Sequence, residues 1–151
     1  MSTSAAASQN SKDETDIRAV FAAIHEAHRN KDAAAIAQHY THDAAVFDLA
    51  PPLTHRGIDL HEKQAWLETW DGPVNKEPGD FNITVRGDSA FCHGFYRLGG
   101  NKKGVSEPIR FWMRATVGLL REGDAWKIVH EHESVPFYMD GSMRPAFDLK
   151  P

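Results

Sequence analysis

Apolar residues recur at helical spacing near the start of the chain, where Ile17, Val20, Phe21 and Ile24 mark a single face. Ser11 and Glu14 stand in the S-x-x-E relation of a capping box, which predicts a helix beginning there. Residues 1–11 carry no periodic apolar face and are expected to form a disordered tail. Asn30 and Lys31 interrupt the helix, and Asp32 offers an N-cap to a second stripe of Ala33, Ile36, Ala37 and Tyr40. Ala44 to Asp48 then reads as a short strand, stopped by Pro51 and Pro52, neither of which can donate to a ladder. Beyond a loop to Arg56, the stretch from Gly57 to Trp70 lacks proline, carries Trp66 and Trp70 at i,i+4, and ends at Asp71-Gly72-Pro73. That predicts a third helix.

The rest reads as strand: Phe81 to Arg86, Ser89 to Leu98, Ile109 to Arg121 and Ala125 to Val135, with Gly87-Asp88 and Glu122-Gly123 as turns and a polar, glycine-rich link from Gly99 to Glu107. Helices first and strands second imply an α+β domain. Taking Glu122-Gly123 as a two-residue turn pairs Leu119 with Trp126, Val117 with Ile128, Ala115 with His130 and Met113 with His132, with Phe111 beyond. That face is apolar apart from its two histidines. The reverse face pairs Arg114 with Glu131, Thr116 with Val129 and Trp112 with Glu133. A long, strongly curved, mostly antiparallel sheet, apolar on one side, would wrap three N-terminal helices into a conical cup. Trp126 and Ile128 would lie at its narrow end, and His130, His132, Met113 and Phe111 at its mouth.

Composition narrows the class. With 151 residues, 41% of them hydrophobic, the chain suits one domain, read as 12–136, followed by a C-terminal extension at 137–151. Seventeen Lys and Arg against twenty-one Asp and Glu give a net charge of −4, and no basic run exceeds a pair, so nucleic acid and anionic membranes are not the expected partners. No stretch approaches the roughly eighteen apolar residues of a membrane span, and the first residues lack the cationic start and apolar core of an export signal. With the single Cys92 unable to form an internal disulfide, a cytoplasmic location is expected.

The segments HRNKDAAAIAQHYTHDAAVFDLAPP and WKIVHEHESVPF, joined by a strand-rich second half, resemble the nuclear transport factor two-like superfamily, in its SnoaL-like, ketosteroid isomerase-related branch. The resemblance spans roughly residues 14 to 136. It implies a conical fold used by isomerases, cyclases, dehydratases and non-catalytic binders alike. It also implies that Asp48 falls on the aspartate acting as general base in the steroid isomerases. Ile24 stands where their oxyanion tyrosine would lie, and Thr116 or Val117 where their protonated acid would lie, so their donors are not reproduced.

Asp48, flanked by Val46, Phe47 and Leu49, is expected to be a buried carboxylate with raised pKa that removes a proton next to a carbonyl. The alternative is a loop-organising cap. His132, helped by His93 or Tyr40, is expected to stabilise the developing oxyanion, with His130 as a deeper hydrogen-bonding group. His93 and Arg97 share a strand face with Phe91 and Phe95 and could reach the mouth, whereas Cys92 faces the other way. Phe47, Trp66, Trp70, Phe111 and Met113 would form the apolar wall. His130, His132 and Asp48 could together ligate zinc or iron, but hydrogen bonding to an organic ligand explains them more simply, so neither metal nor cofactor is expected. No phosphate loop, G-x-S-x-G or H-E-x-x-H motif is present. The expected function is a cofactor-independent isomerase, lyase or cyclase acting on a small apolar or carbonyl-containing ligand. The competing expectations are a non-catalytic binder and an assembly module. Trp112 and Val129 beside Arg114 and Glu131 make the outer face too apolar for full hydration, which predicts a homodimer through it.

Overall fold

Helix α1 (Ser2–Arg29) starts well before the capping box read at Ser11, because Ala5, Ala6, Ala7 and Gln9 are strong helix formers that carry the turn pattern outward. The computed structural model describes residues 2–151, with side chains from Ala5 onward, so Met1 of the expected tail lies outside the described residues. Residues 5–12 are helical yet exposed, and Ser11 and Glu14 are interior positions rather than a cap. Gln9 donates to Asp13 Oδ1 at 2.9 Å, and Arg121 pairs with that same buried carboxylate at 2.7 Å, which ties the helix to the sheet. Ile17, Phe21 and Ile24 form the buried face, as expected.

Helix α2 (Ala33–Ala37) is capped by Asp32, whose carboxylate accepts from the Ala35 amide at 2.9 Å. Tyr40 belongs not to this helix but to strand β1 (Tyr40–Phe47), which pairs with the two-residue β2 (His55–Arg56). Helix α3 (Leu60–Glu68) begins at Asp59, which accepts from the Glu62 amide, and stops before Trp70. Trp70 opens strand β3 (Trp70–Pro78), an element absent from the sequence reading. The Asp71-Gly72-Pro73 run that reads as a terminator lies where the β3 register shifts, on an edge of the sheet where proline and an irregular backbone are tolerated. Strands β4 (Asn82–Arg86), β5 (Ser89–Lys102), β6 (Ile109–Glu122) and β7 (Ala125–Ser134) complete the fold. The first residues of the expected Gly99–Glu107 link therefore extend β5.

The curved sheet runs β2-β1-β7-β6-β5-β3, with β4 also paired to β5. It is mixed, since β1 lies parallel to β7 while every other pairing is antiparallel. Helix α1 packs across β3 and β4, where Phe21 stacks on Phe81 at 4.7 Å between ring centroids. Trp126, Ile128, Leu119 and Val117 are buried in the core, and the architecture is the α+β one expected. No described helix is long and apolar enough to cross a membrane.

The last hairpin departs from the expected register in a way that decides the site. Gly123-Asp124 forms the turn, so Glu122 faces Ala125 and Leu119 faces Ile128. That two-residue change preserves which side chains share a face. The next pair, however, is Gly118 with His130, leaving Val129 as an extra residue on β7. From this bulge onward the alternation inverts. Glu131 and Glu133 point inward and are buried, whereas His130 and His132 lie on the outer side. The expected outer-face pairs Arg114–Glu131 and Trp112–Glu133 therefore do not exist. Arg114 instead faces Ser134, with Nε donating to Oγ at 3.1 Å.

Candidate active site

The concave side of the sheet and helix α3 enclose a cavity of about 370 Å³. Its walls are largely apolar, built from Val46, Trp66, Trp70, Leu98, Phe111 and Met113. Trp66 ends the inner face of α3 and Trp70 begins β3, so their rings meet across the helix-to-strand turn, 5.7 Å apart and nearly perpendicular. The indole of Trp70 lies against β5 because Gly100, at φ +155°, has no Cβ; one built there would fall 3.0 Å from Trp70 Cε3.

Five buried polar side chains converge deep in the fold. Lys76 comes from β3, Glu131 and Glu133 from β7 beyond the bulge, Tyr40 from the start of β1 and Tyr96 from β5. Lys76 Nζ lies 3.2 Å from Glu131 Oε1 and also pairs with Glu133 Oε1. Tyr40 donates its hydroxyl hydrogen to Glu131 Oε1 at 3.0 Å, and the Tyr96 ring lies under the Lys76 ammonium at 4.7 Å. One buried cation thus serves two buried carboxylates. Burial pushes the Glu133 carboxyl up to about 7, with Lys76 pulling it down and the Glu131 carboxylate pushing it further up. Burial alone would discharge Lys76, but Glu131 and Glu133 outweigh it and hold that ammonium well above its ordinary value. Burial, followed by the Glu131 charge, keeps both tyrosines neutral.

His28 lines the same cavity from α1. Its Nδ1 lies 2.8 Å from the Ile24 carbonyl, which can only accept, so this nitrogen carries the proton. Burial, reinforced by Lys63 and Lys76, holds the imidazole neutral well below the usual histidine range. Nε2 is therefore an acceptor. Among the described residues His28 Nε2, Trp70 Nε1 and Glu131 Oε2 are buried without a hydrogen-bond partner, and all three residues line the cavity.

Of the side chains expected at the site, Tyr40, Asp48, Trp66, Trp70, Phe111 and Met113 line this cavity. Asp48 is exposed at the end of β1 rather than buried, and its carboxylate accepts from the Leu49 amide at 2.6 Å. His130, His132 and Phe47 form a separate cluster outside. The Phe47 ring meets the two imidazoles edge-on at 5.0 and 5.4 Å, and His130 Nδ1 donates to the Ala45 carbonyl at 2.7 Å. His93 and Arg97 are exposed on the outer face of β5, because Cys92, Tyr96 and Leu98 occupy its inner face. Burial pushes the Cys92 thiol up to about 12, which disfavours the reactive thiolate. The His130, His132 and Asp48 set does not converge, and no group of three potential ligands suited to a metal ion occurs among the described residues. Lys76, His28 and Lys63 were not among the expected site residues, and Glu131 and Glu133 were expected on the outer face instead. For Lys76 a signal exists: Trp70, Val74 and Lys76 share even-numbered inward positions on β3.

The domain model described as SnoaL-like matches residues 17–138. No curated protein matches the chain. Among solved structures, an NTF2-like protein of unknown function from Pseudomonas putida is 31% identical, with a TM-score of 0.80 over 93% of this chain and 98% of its own. A candidate scytalone dehydratase from Novosphingobium aromaticivorans has a TM-score of 0.77 at 11% identity, over 95% of this chain and 99% of its own. A candidate ketosteroid isomerase from Shewanella frigidimarina has a TM-score of 0.60 at 20% identity, over 76% and 91%. The last two share the fold alone. The matched domain and the likeness to the Pseudomonas protein establish that this chain belongs to the SnoaL-like family of NTF2-like proteins.

Proposed function

We propose that the protein is a cofactor-independent isomerase or lyase that moves a proton next to the carbonyl of a small, largely apolar ligand. The observation carrying this reading is Glu133: a carboxyl held near neutrality at the end of an aromatic-walled cavity can take up and release a proton at physiological pH. Lys76 pairs with both Glu131 and Glu133, and Glu133 is the carboxyl whose acidity burial moves toward neutrality, so it is the one assigned the exchange. The Trp70 indole N–H, unpaired and lining the same space, is suited to donate to the carbonyl oxygen as charge develops there. It takes the role first expected of His132 and His93. Asp48, exposed at the cavity edge, serves entry or orientation rather than proton transfer. The names of the dehydratase and isomerase neighbours support this general class of chemistry without indicating a substrate.

The test follows deuterium uptake next to the carbonyl across a panel of cyclic and aryl ketones in heavy water, by proton NMR. Wild-type protein should catalyse exchange, and Glu133→Gln should lose at least about 100-fold of it. Asp48→Asn should keep most of the rate. Full exchange in Glu133→Gln would end this assignment, and saturable binding without exchange in any variant would favour the non-catalytic cup.

A further inference from the structure

Lys63 lies on the inner side of α3, one turn before Trp66 and Leu67, and lines the cavity that holds Lys76, Glu131 and Glu133. It is half-buried. Several lysines have polar partners: Lys76 has two carboxylates, Lys12 has Asp16, Lys31 has the Trp70 carbonyl, and Lys102 donates to Thr69 Oγ1, whereas Lys103 and Lys150 lie exposed to water. Among the described residues no carboxylate lies within ion-pair distance of Lys63 Nζ. Its neighbour is the face of the Trp66 ring, 4.7 Å from the nitrogen. A ring face holds an ammonium less firmly than a carboxylate would at the same depth.

We propose that Lys63 is a covalent site for aldehydes and ketones, its ε-amine forming an imine with the carbonyl of a ligand seated against Trp66 and Trp70. Burial, then the nearby Lys76 ammonium, lowers the Lys63 pKa, against the opposing pull of Asp48 and Glu133, so more of it is present as the nucleophilic free amine. The amine nitrogen attacks the carbonyl carbon. A C–N bond forms, and the carbonyl oxygen takes up a proton to give a carbinolamine. Loss of that oxygen as water, with both amine hydrogens removed overall, leaves the C=N bond, so no oxidant or reductant is consumed. Glu133, held near neutrality in the same cavity, can supply the proton that departs with the hydroxyl. An imine would also draw electrons from the adjacent carbon, which deepens the proton-transfer reading, but its formation does not depend on turnover.

Benzaldehyde with sodium cyanoborohydride, applied to the intact chain at neutral pH, converts any imine to a stable benzyl amine that peptide mass mapping can place. Lys63 should be labelled at least about 10-fold faster than exposed Lys103, a selectivity equivalent to about 1.4 kcal/mol, and unfolding in urea should level the two. Lys63→Arg keeps the charge and the ring contact and should abolish the fast phase. Equal or slower labelling of Lys63 in the folded protein would overturn the proposal, as would a fast phase that persists in Lys63→Arg. Selective labelling without deuterium exchange would retain this site and remove the proton-transfer function, and exchange without selective labelling would do the reverse.

Discussion

Lys76 and Glu131 meet at 3.2 Å although they lie on strands that are not neighbours in the sheet, one at its edge and one near its centre. Because this cation also serves Glu133, Lys76→Met would leave two buried carboxylates facing each other. We expect it to destabilise the fold by about 3–5 kcal/mol in urea denaturation. Adding Glu131→Gln and Glu133→Gln should recover most of that loss. A Lys76→Met protein as stable as the parent would show that the cluster contributes nothing to folding.

Stability should fall on both sides of a mildly acidic optimum. Glu133 titrates near 7 when folded against an ordinary 4.5, so between these values the folded state binds the extra proton and stability declines as pH rises. His28 has the opposite sign. Its folded pKa lies well below 6.5, so the unfolded state binds the extra proton below that value and stability declines as pH falls. Glu133→Gln should flatten the neutral limb and His28→Asn the acid limb, each by on the order of 1–3 kcal/mol in denaturant titrations across the range.

The C-terminal extension should contribute to the cavity wall. Phe147 packs on Phe111 with ring centroids 4.4 Å apart, Ala146 is buried, and Phe137 bridges to Pro145. Deleting residues 137–151 should lower the melting temperature and weaken binding of apolar ligands, while Phe147→Ala alone should cost about 1 kcal/mol. An unchanged melt and unchanged binding after the deletion would make the segment a passive tail.

We expect a homodimer through the convex face of the sheet, where Phe91, Phe95 and Leu120 are exposed beside half-buried Trp112. The argument no longer involves Glu131, which lies inside. Sedimentation at tens of micromolar, well above a typical micromolar dissociation constant, should find a dimer, and Phe95→Glu should yield monomer. A wild-type monomer under those conditions would remove the interface.

Much of the domain was legible because its cues are local. The stripe at Ile17, Phe21 and Ile24 needs only the helical repeat, and the alternation from Phe111 to Leu119 only the pleat, so α1 and the inner face of β6 could be assigned from their own residues. Asp32 and Asp59 differ instructively. Both cap helices, but the stretch after Asp59 was overextended to Trp70, since a tryptophan pair at i,i+4 looks the same whether its second member ends a helix or opens a strand.

The candidate chemistry was set by tertiary structure. Sequence alone pointed to an α+β chain of the SnoaL-like kind, a curved sheet with one apolar face, and an apolar wall of Phe47, Trp66, Trp70, Phe111 and Met113, of which all but Phe47 line the cavity. It placed the histidines of HEHES inside and the glutamates outside. One unpaired residue, Val129, reversed that order, and a bulge is a property of the pairing between two strands rather than of either strand's pattern. The near-neutral acidity of Glu133 likewise exists only once folding has excluded water from it and set the Glu131 charge beside it, while Lys76, 57 positions away in the chain by their residue numbers, pulls the other way. Side-chain periodicity is written locally, whereas burial and charge proximity are sums over the whole fold.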